Sequence, residues 1–541
     1  MKNLLKLVLF ATVVVFGACN KRELNTKVSH ATGWNYYDRK TTNFQAIEGV
    51  TPGTPIGMVA IEGGSFTIGE RDEFLTAPRN NASRTLTVSS FYMDKYEITN
   101  LDWREYLQWM EMVFGSSRNE MAKKMVKNTL PDTTVWREEL AFNEPYLEYY
   151  FRHPVYSFYP VVGVSWRQAM NYCQWRSDRV NELALIKCGA IAIPPFADLQ
   201  AVDDEGYKDD WEQTNPGYFM ESYEVTDPDD PENTITWYAP SYEWIKDKFV
   251  FNTEKYLYTD EYTPEFGRHP LSNEYGEDRK VNTADGILVV GYRLPTEAEW
   301  EFAAFAPIAD EDEDGLSIEG KIYPWSGYHP RDLSKKNLGK MQANFIRGRG
   351  DMMGMSKALN DGYVITGPVD AFLPNDFGLY NMAGNVNEWV MDVYRETSSM
   401  EVAEYNSYRG NIYIKPKRDA NGTFTIDSLG RVEIEYTEQD DKRDFKDGDL
   451  ASRIDTDYPL DTTWTDTVEI RPDWKVDPTD ILVPRLSKEA RVYKGGSWKD
   501  RVYWLNPSSR RFLDQNASSN TIGFRCAMSI LGENDLTKQP Q

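Results

Sequence analysis

Few residues in this chain carry side chains that could do covalent or redox chemistry. The stretch "KGGSWKDRVYWLNPSSRRFLDQNASSNTIGFRCAM", Lys494 to Met528, joins a Gly-Gly turn to two arginine-rich patches and a closing Gly-Phe-Arg-Cys. Between Gly495 and Arg525 it has no cysteine and no histidine, hence no soft nucleophile and no soft metal ligand. Ser508 and Ser509 are hydroxyls, but a nucleophilic serine needs a base within hydrogen-bond reach and an acid to orient that base. The chain has four histidines, the last of them His329. A base from elsewhere in the fold stays open; the plainer reading is surface or turn serines flanking Arg510 and Arg511. Glu297 and Glu299 are spaced like a carboxylate pair, yet a capping role accounts for Glu299 and a solvated first turn for Glu297.

The elements that would hold these groups are legible from local signals. "RLPTEAEWEFAAF" (293–305) is a helix start in which Thr296 and Glu299 form a capping box. "VSWRQAMNYCQWRSDRV" (164–180) places Trp166, Ala169, Met170 and Cys173 at helical spacing behind Ser165 as N-cap, so Cys173 falls on a buried face. "GMVAIEGGSFTIG" (57–69) reads as strand-turn-strand. "RTLTVSSFYMDKYEITN" (84–100) reads as two short strands ending at Thr99 or Asn100, either of which could cap the helix "LDWREYLQWM". "NDFGLYNMAGNVNEWVMD" (375–392) is rich in Gly and Asn, which permits tight turns and exposed carbonyls.

The N-terminus, "MKNLLKLVLFATVVVFGACN", has Lys2 and Lys6, an apolar run from Leu7 to Phe16, then small residues and Cys19. It is a secretory signal, too short to span a bilayer. Its ending "FGAC" is similar to a bacterial lipobox, so residues 1–18 are expected to be removed and Cys19 to carry lipid. Ordinary cleavage with an incidental Cys19 is the alternative. Asn20 and the absence of an acidic run in "NKRELN" point to an outer-membrane lipoprotein facing the periplasm. Residues 19–52 are a polar tether, and residues 533–541 a short tail.

A formal net charge of -25 argues against nucleic acid as a partner, because phosphate contacts need a basic patch. An aromatic content of 13% suffices for a core. The cysteines are Cys19, Cys173, Cys188 and Cys526; with Cys19 lipidated, three remain and at least one has no internal partner.

Eight pieces occur in order from about residue 57 to about 531: "GMVAIEGGSFTIG", "FYMDKYEITN", "PVVGVSWRQAMNYCQW", "RLPTEAEWEFAA", "YPWSG", "NDFGLYNMAGNVNEW", "GGSW" and "IGFRC". Together they resemble the formylglycine-generating-enzyme, or sulfatase-modifying factor, domain. The resemblance implies an α+β, loop-rich variant of the C-type lectin fold, one domain over 53–532 with insertions at about 111–155, 183–290 and 393–490. These insertions are either partner surface or solvated wrapping; long ordered loops favour the first. The third contains "DANGTF", a hairpin turn candidate. "ATGWNYYD", "LPDTTVWREELAFNEPYLEYYFRHPVY" and "WRSDRVNELALI" further resemble the gliding-motility lipoproteins of Bacteroidota.

In the oxidase members two cysteines between the Gly-Gly-Ser turn and the Gly-Phe-Arg segment hold copper(I). Their absence here implies no copper or iron and no oxidase activity. The resemblance also implies a Cys173–Cys526 disulfide, against the alternative of two buried thiols; Cys188 would stay reduced or pair between chains. It implies structural Ca²⁺ at two sites. The first uses Asn344 and Asp361 side chains with the carbonyls of Phe345 and Tyr363, the second Asn381 and Glu388 side chains with the carbonyls of Gly384 and Val386. Turn stabilisation by the same Asn and Asp residues is the alternative. The expected function is a non-catalytic component of the gliding-motility and type IX secretion machinery, with its other lipoproteins and ring components as partners. A lectin-like glycan- or peptide-binding module and a divergent enzyme are the alternatives.

Overall fold

Short strands and helices make up the described residues, and the two longest helices begin at side-chain caps. The computed structural model describes residues 54–69, 81, 83–115, 119–138, 141–194, 199, 201–226, 234–258, 271–272, 278–307, 321–347, 361–394, 414–419, 425, 433–436 and 490–532, with Thr32. The signal segment, Cys19, nearly all of the tether, the tail and most of the third insertion lie outside the described residues.

β1 (Met58–Ile61) and β4 (Phe91–Asp94) pair antiparallel, and β15 (Ala527–Ser529) joins the other side of β4. The two ends of the domain therefore share one sheet. β2 (Gly64–Ile68) pairs with β3 (Arg84–Val88). A four-stranded sheet has the order β13 (Arg511–Asp514), β12 (Ala490–Lys494), β9 (Asn387–Val393) and β14 (Ile522–Gly523), with β14 parallel to β9.

α1 (Asn100–Phe114) is capped by Thr99, whose hydroxyl accepts from Asp102 N–H while Asp102 reaches back to Thr99. Asn100 instead spends its amide on the carbonyls of Tyr150 and Tyr156. Ser165 and Gln168 form the same box at the head of α4 (Trp166–Lys187), counted after α2 (Glu120–Thr129) and α3 (Glu144–Tyr149). Trp103 of α1, Tyr172 of α4 and Phe524 meet ring to ring, the first pair stacked at 5.4 Å and 12°. These contacts tie both helices to the C-terminal strands.

The first two insertions wrap the core and also extend it. The second contributes α5 (Glu205–Thr214), the hairpin β5 (Met220–Thr226) and β6 (Thr234–Pro240), α6 (Tyr242–Lys248) and α7 (Thr253–Tyr258), then the two-residue pair β7 (Leu271–Ser272) and β8 (Asp278–Arg279). Trp211 and Trp244 from this segment are buried, as is Trp136 from the first insertion. Each buried tryptophan stabilises the fold by roughly 2–3 kcal/mol relative to exposure. Of the third insertion, β10 (Ile414–Pro416) and β11 (Ile434–Tyr436) pair antiparallel in a register centred on Thr425, while residues 420–424 of the expected "DANGTF" turn lie outside the described residues. α8 (Glu297–Phe305) packs against β9 and β2 and completes the second core region around Trp300 and Phe302.

Candidate functional site

The interval after the Gly-Gly turn is built around an ion pair. Gly495 and Gly496 both take positive φ (102° and 73°), and a Cβ on Gly496 would stand 2.8 Å from the Trp504 carbonyl, so the turn needs glycine. It delivers Asp500 to Arg511 of β13, whose guanidinium donates to both carboxylate oxygens at 2.7 and 2.8 Å. Ser497 Oγ adds a bond to Asp500 at 2.6 Å, Asn387 Nδ2 one at 3.3 Å, and Arg511 also reaches Asn387 Oδ1. Tyr493 and Trp504 flank the guanidinium, with ring centroids 5.0 and 4.6 Å away. Burial works against the Asp500 charge, but Arg511 and the Ser497 and Asn387 bonds outweigh it and hold the carboxyl below its ordinary range. Asp500, Arg511 and Ser497 are thus tied to one another within the fold.

The first insertion closes over the same interval. Trp136 stacks on Trp498 at 5.9 Å and 22° and meets Tyr150 at 4.7 Å. Glu138 pairs with Lys499. Asp132 N–H donates to the Gly163 carbonyl at 2.8 Å, and Gly163 N–H in turn to that of Ser519 at 3.0 Å.

Two expectations are corrected beside it. Glu297 is not solvated: it is 5% exposed and accepts from Lys494 Nζ at 3.0 Å, with Arg510 Nε at 2.7 Å. Ser508 and Ser509 are buried, not surface serines. Ser508 Oγ donates to Glu301 Oε1 at 3.1 Å, while Glu301 Oε2 pairs with Lys494 at 2.5 Å and its Oε1 also takes Gly69 N–H at 2.8 Å. Ser508 therefore gives its proton to a carboxylate already paired with Lys494, and among the described residues no imidazole bonds to it. Asp392 joins this cluster by accepting Glu297 N–H at 2.6 Å. Burial, then the Glu297 charge, push the Asp392 carboxyl up to about 6. Glu299 does cap Thr296 as expected, and additionally holds Arg293 by two bonds of 2.6 and 2.7 Å.

The expected calcium ligands lie on two adjoining loops. Asp361 accepts from Phe345 N–H at 2.8 Å and Tyr363 N–H at 3.0 Å, and burial raises its carboxyl. No lysine or arginine pairs with Asp361 among the described residues. Asn344 donates to the Ile365 carbonyl at 2.8 Å. In the second set, Asn381, Gly384 and Asn385 all take positive φ, and a Cβ on Gly384 would fall 2.4 Å from the Asn344 carbonyl. This is what brings the two loops together, with Val386 following at the head of β9. Asn381 Oδ1 is buried with no hydrogen-bond partner among the described residues. Glu388, in contrast, is committed: Arg525 binds its two oxygens at 2.7 and 2.6 Å and Trp300 Nε1 adds 2.8 Å. The second set thus has one fewer uncommitted carboxylate than its residue types suggested.

Glu97 was not anticipated. It sits under this loop, 1% exposed, accepting from Asn381 Nδ2 at 3.0 Å and Asn385 Nδ2 at 2.9 Å. Burial first, then the Glu388 charge, lift its carboxyl to about 8 against the pull of Arg525 and the two amides. The available sequence signal was "GFRC", which places the charge of Arg525 between Phe524 and Cys526.

Cys173 and Cys526 are both buried with sulfurs 3.5 Å apart, as two thiols. Cys188 is the exposed C-cap of α4.

Comparison with known proteins places these features. Residues 44–530 match the model of the sulfatase-modifying factor enzyme 1-like domain. The formylglycine-generating enzyme of Mus musculus is 29% identical over 40% of this chain and 61% of its own length; that of Bos taurus is 21% identical over 68% and 65%. The chain thus spans less than two thirds of either enzyme. An inactive C-alpha-formylglycine-generating enzyme 2 of Bos taurus is 39% identical over 19% of this chain and 28% of its own. Among solved structures, PvdO from Pseudomonas aeruginosa aligns over 87% of this chain and 94% of its own at 16% identity and a TM-score of 0.36. On the family match over most of its length, the chain belongs to the sulfatase-modifying factor enzyme 1-like domain family.

Proposed function

We propose that this protein is a non-catalytic member of its family, a lipoprotein of the GldJ type, anchored in the outer membrane through Cys19. Facing the periplasm, it acts as a structural component of the gliding-motility and type IX secretion machinery. The observation that carries the non-catalytic reading is the Asp500–Arg511 pair inside a cysteine-free interval that the first insertion covers with Trp136. An oxidase needs two thiolates open to a peptide in that interval. Here it presents an internally neutralised carboxylate and a stacked indole. That family members include a protein named as inactive is in keeping with this reading. The motility assignment rests on the sequence pieces of the tether and first two insertions.

The same reading assigns the fold to the C-type lectin variant and gives Cys173 and Cys526 to a disulfide formed in the oxidising periplasm. It assigns calcium to the loops at Asp361 and Asn381. The hard-oxygen donor set, among the described residues an Asp361 carboxylate without a paired cation and an Asn381 oxygen without a donor, fits this ion rather than a soft metal. Bound there, calcium would supply charge compensation; Asn344, Phe345, Asp361 and Tyr363 would hold one ion and Asn381, Gly384 and Val386 the other. The protein's own contribution is to hold the two loops in register through Gly384.

The test is turnover. The purified chain, loaded with copper(I), is incubated with a cysteine-containing peptide and the peptide is examined by mass spectrometry. No formylglycine and no stoichiometric copper are expected. Copper-dependent conversion of the cysteine would sink the non-catalytic reading.

A further inference from the structure

One described surface loop runs against the acidic balance of the chain. In a protein of net charge -25, residues 328–340 ("YHPRDLSKKNLGK") contain Arg331, Lys335, Lys336 and Lys340 against the single acid Asp332. The loop is built as a hairpin. Asp332 N–H donates to the Lys340 carbonyl at 2.8 Å and Gly339 N–H to that of Asp332 at 2.9 Å. Arg331 Nη1 binds the Gly339 carbonyl at 3.0 Å, and Asp332 turns its carboxylate inward to Ser334 N–H at 2.7 Å. Its base is pinned where Trp325 Nε1 meets the His329 carbonyl at 2.9 Å.

What this frame presents is apolar and cationic together. Leu333 and Leu338 are 67% and 70% exposed, Tyr328 is 55% exposed, and Lys335 and Lys336 are exposed between the leucines. Two leucines held in water by a hydrogen-bonded hairpin, flanked by lysines and a tyrosine, have the composition of segments that enter the boundary between lipid headgroups and acyl chains. The leucines supply buried apolar area, the lysines attraction to anionic headgroups, and the tyrosine a ring suited to the headgroup level.

We infer that the 328–340 hairpin, with Leu333 and Leu338 as its apolar tips and Lys335 and Lys336 as its charges, docks the domain onto an anionic lipid bilayer. The inference rests on the proposed membrane location but not on the lipid anchor. It orients the domain on the membrane that the anchor only tethers it to.

The experiment uses the mature chain with Cys19→Ser, so that no acyl group contributes. Co-flotation is measured with vesicles of phosphatidylethanolamine and phosphatidylglycerol, and with phosphatidylcholine alone. Binding to the anionic vesicles is expected, weakened by salt and absent on phosphatidylcholine. K335E/K336E should lower it roughly tenfold or more, and L333S/L338S about fivefold. Both variants change exposed side chains, so their thermal midpoints should match the parent and separate docking from folding. Equal binding to both vesicle types, or variants that float like the parent, overturns the inference. So does an anionic-vesicle result unchanged by the variants while they dissolve a dimer, which would make the hairpin a protein contact. Fatty-acid labelling of the native chain reads the anchor separately, so a failed anchor and a failed hairpin are told apart.

Discussion

Arg525 offers a direct test of how this loop-rich domain is held together. Its guanidinium is 0% exposed and pairs with Glu388, also 0% exposed, through two bonds of 2.7 and 2.6 Å. It also donates to the carbonyls of Asp94 at 3.1 Å and Tyr380 at 2.8 Å, so it ties β4, the 375–386 loop and β9 at one point. Arg525→Met keeps most of the volume and removes the charge. Glu388 is then left buried beside Glu97 with only the Trp300 indole as donor, and two carbonyls lose a partner. Removing one member of a buried pair costs about 3–5 kcal/mol, whereas replacing both with apolar groups is often near neutral. Arg525→Met should therefore destabilise the domain by about 3–5 kcal/mol in urea titrations followed by tryptophan fluorescence. The double variant with Glu388→Leu should recover more than half of that loss. A single-variant cost below about 1 kcal/mol, or a double variant as unstable as the sum of two singles, would refute the coupling argued from this geometry.

Three further outcomes follow from other parts of the fold. The Asp392 carboxyl is raised from 3.8 to about 6, so the folded state takes up a proton that the unfolded state lacks between those values, and stability at this site falls as pH rises through that window. Asp392→Asn, which can still accept Glu297 N–H, should stabilise the protein at pH well above 6 by up to about 3 kcal/mol. That gain should fade toward pH 4; a gain independent of pH would contradict it. Trp136→Ala should cost about 3–5 kcal/mol and accelerate amide exchange around Trp498, whereas a neutral change would show that the first insertion does not brace the interval. In protein purified without reductant after export to an oxidising compartment, Cys173 and Cys526 should resist alkylation under denaturing conditions until reduced, while Cys188 reacts at once. Alkylation of all three without reductant would leave the pair as buried thiols.

Local signals in the sequence were sufficient for local structure. Thr296 with Glu299 and Ser165 with Gln168 are separated by three residues, so their caps were readable without knowing the fold. The placement of Cys173 on a buried helix face followed from its spacing. The charged core was not readable in the same way. Lys494 reaches Glu297 across 197 positions and Arg525 reaches Glu388 across 137, so nothing near Glu297 announced that it would be buried and paired. Ser508 does lie in a turn, but its burial was not readable for the same reason, because its partner Glu301 lies 207 positions away. The family resemblance located the interval and the loop residues, but not the commitment of Glu388 to Arg525. The insertions were read as surface, and their polar composition hid Trp136, Trp211 and Trp244, single apolar anchors that draw each segment into the core.

The proposed role makes this chain a structural part of a membrane assembly rather than an enzyme. The most direct measurement is affinity purification of the tagged native protein from gently solubilised outer membranes, with sizing and mass spectrometry of what comes with it. A structural role is expected to yield a large, stable assembly containing other motility or secretion components, with variants in the first two insertions that keep the fold but lose partners. Recovery of the chain alone, from a preparation in which control assemblies stay intact, would contradict it.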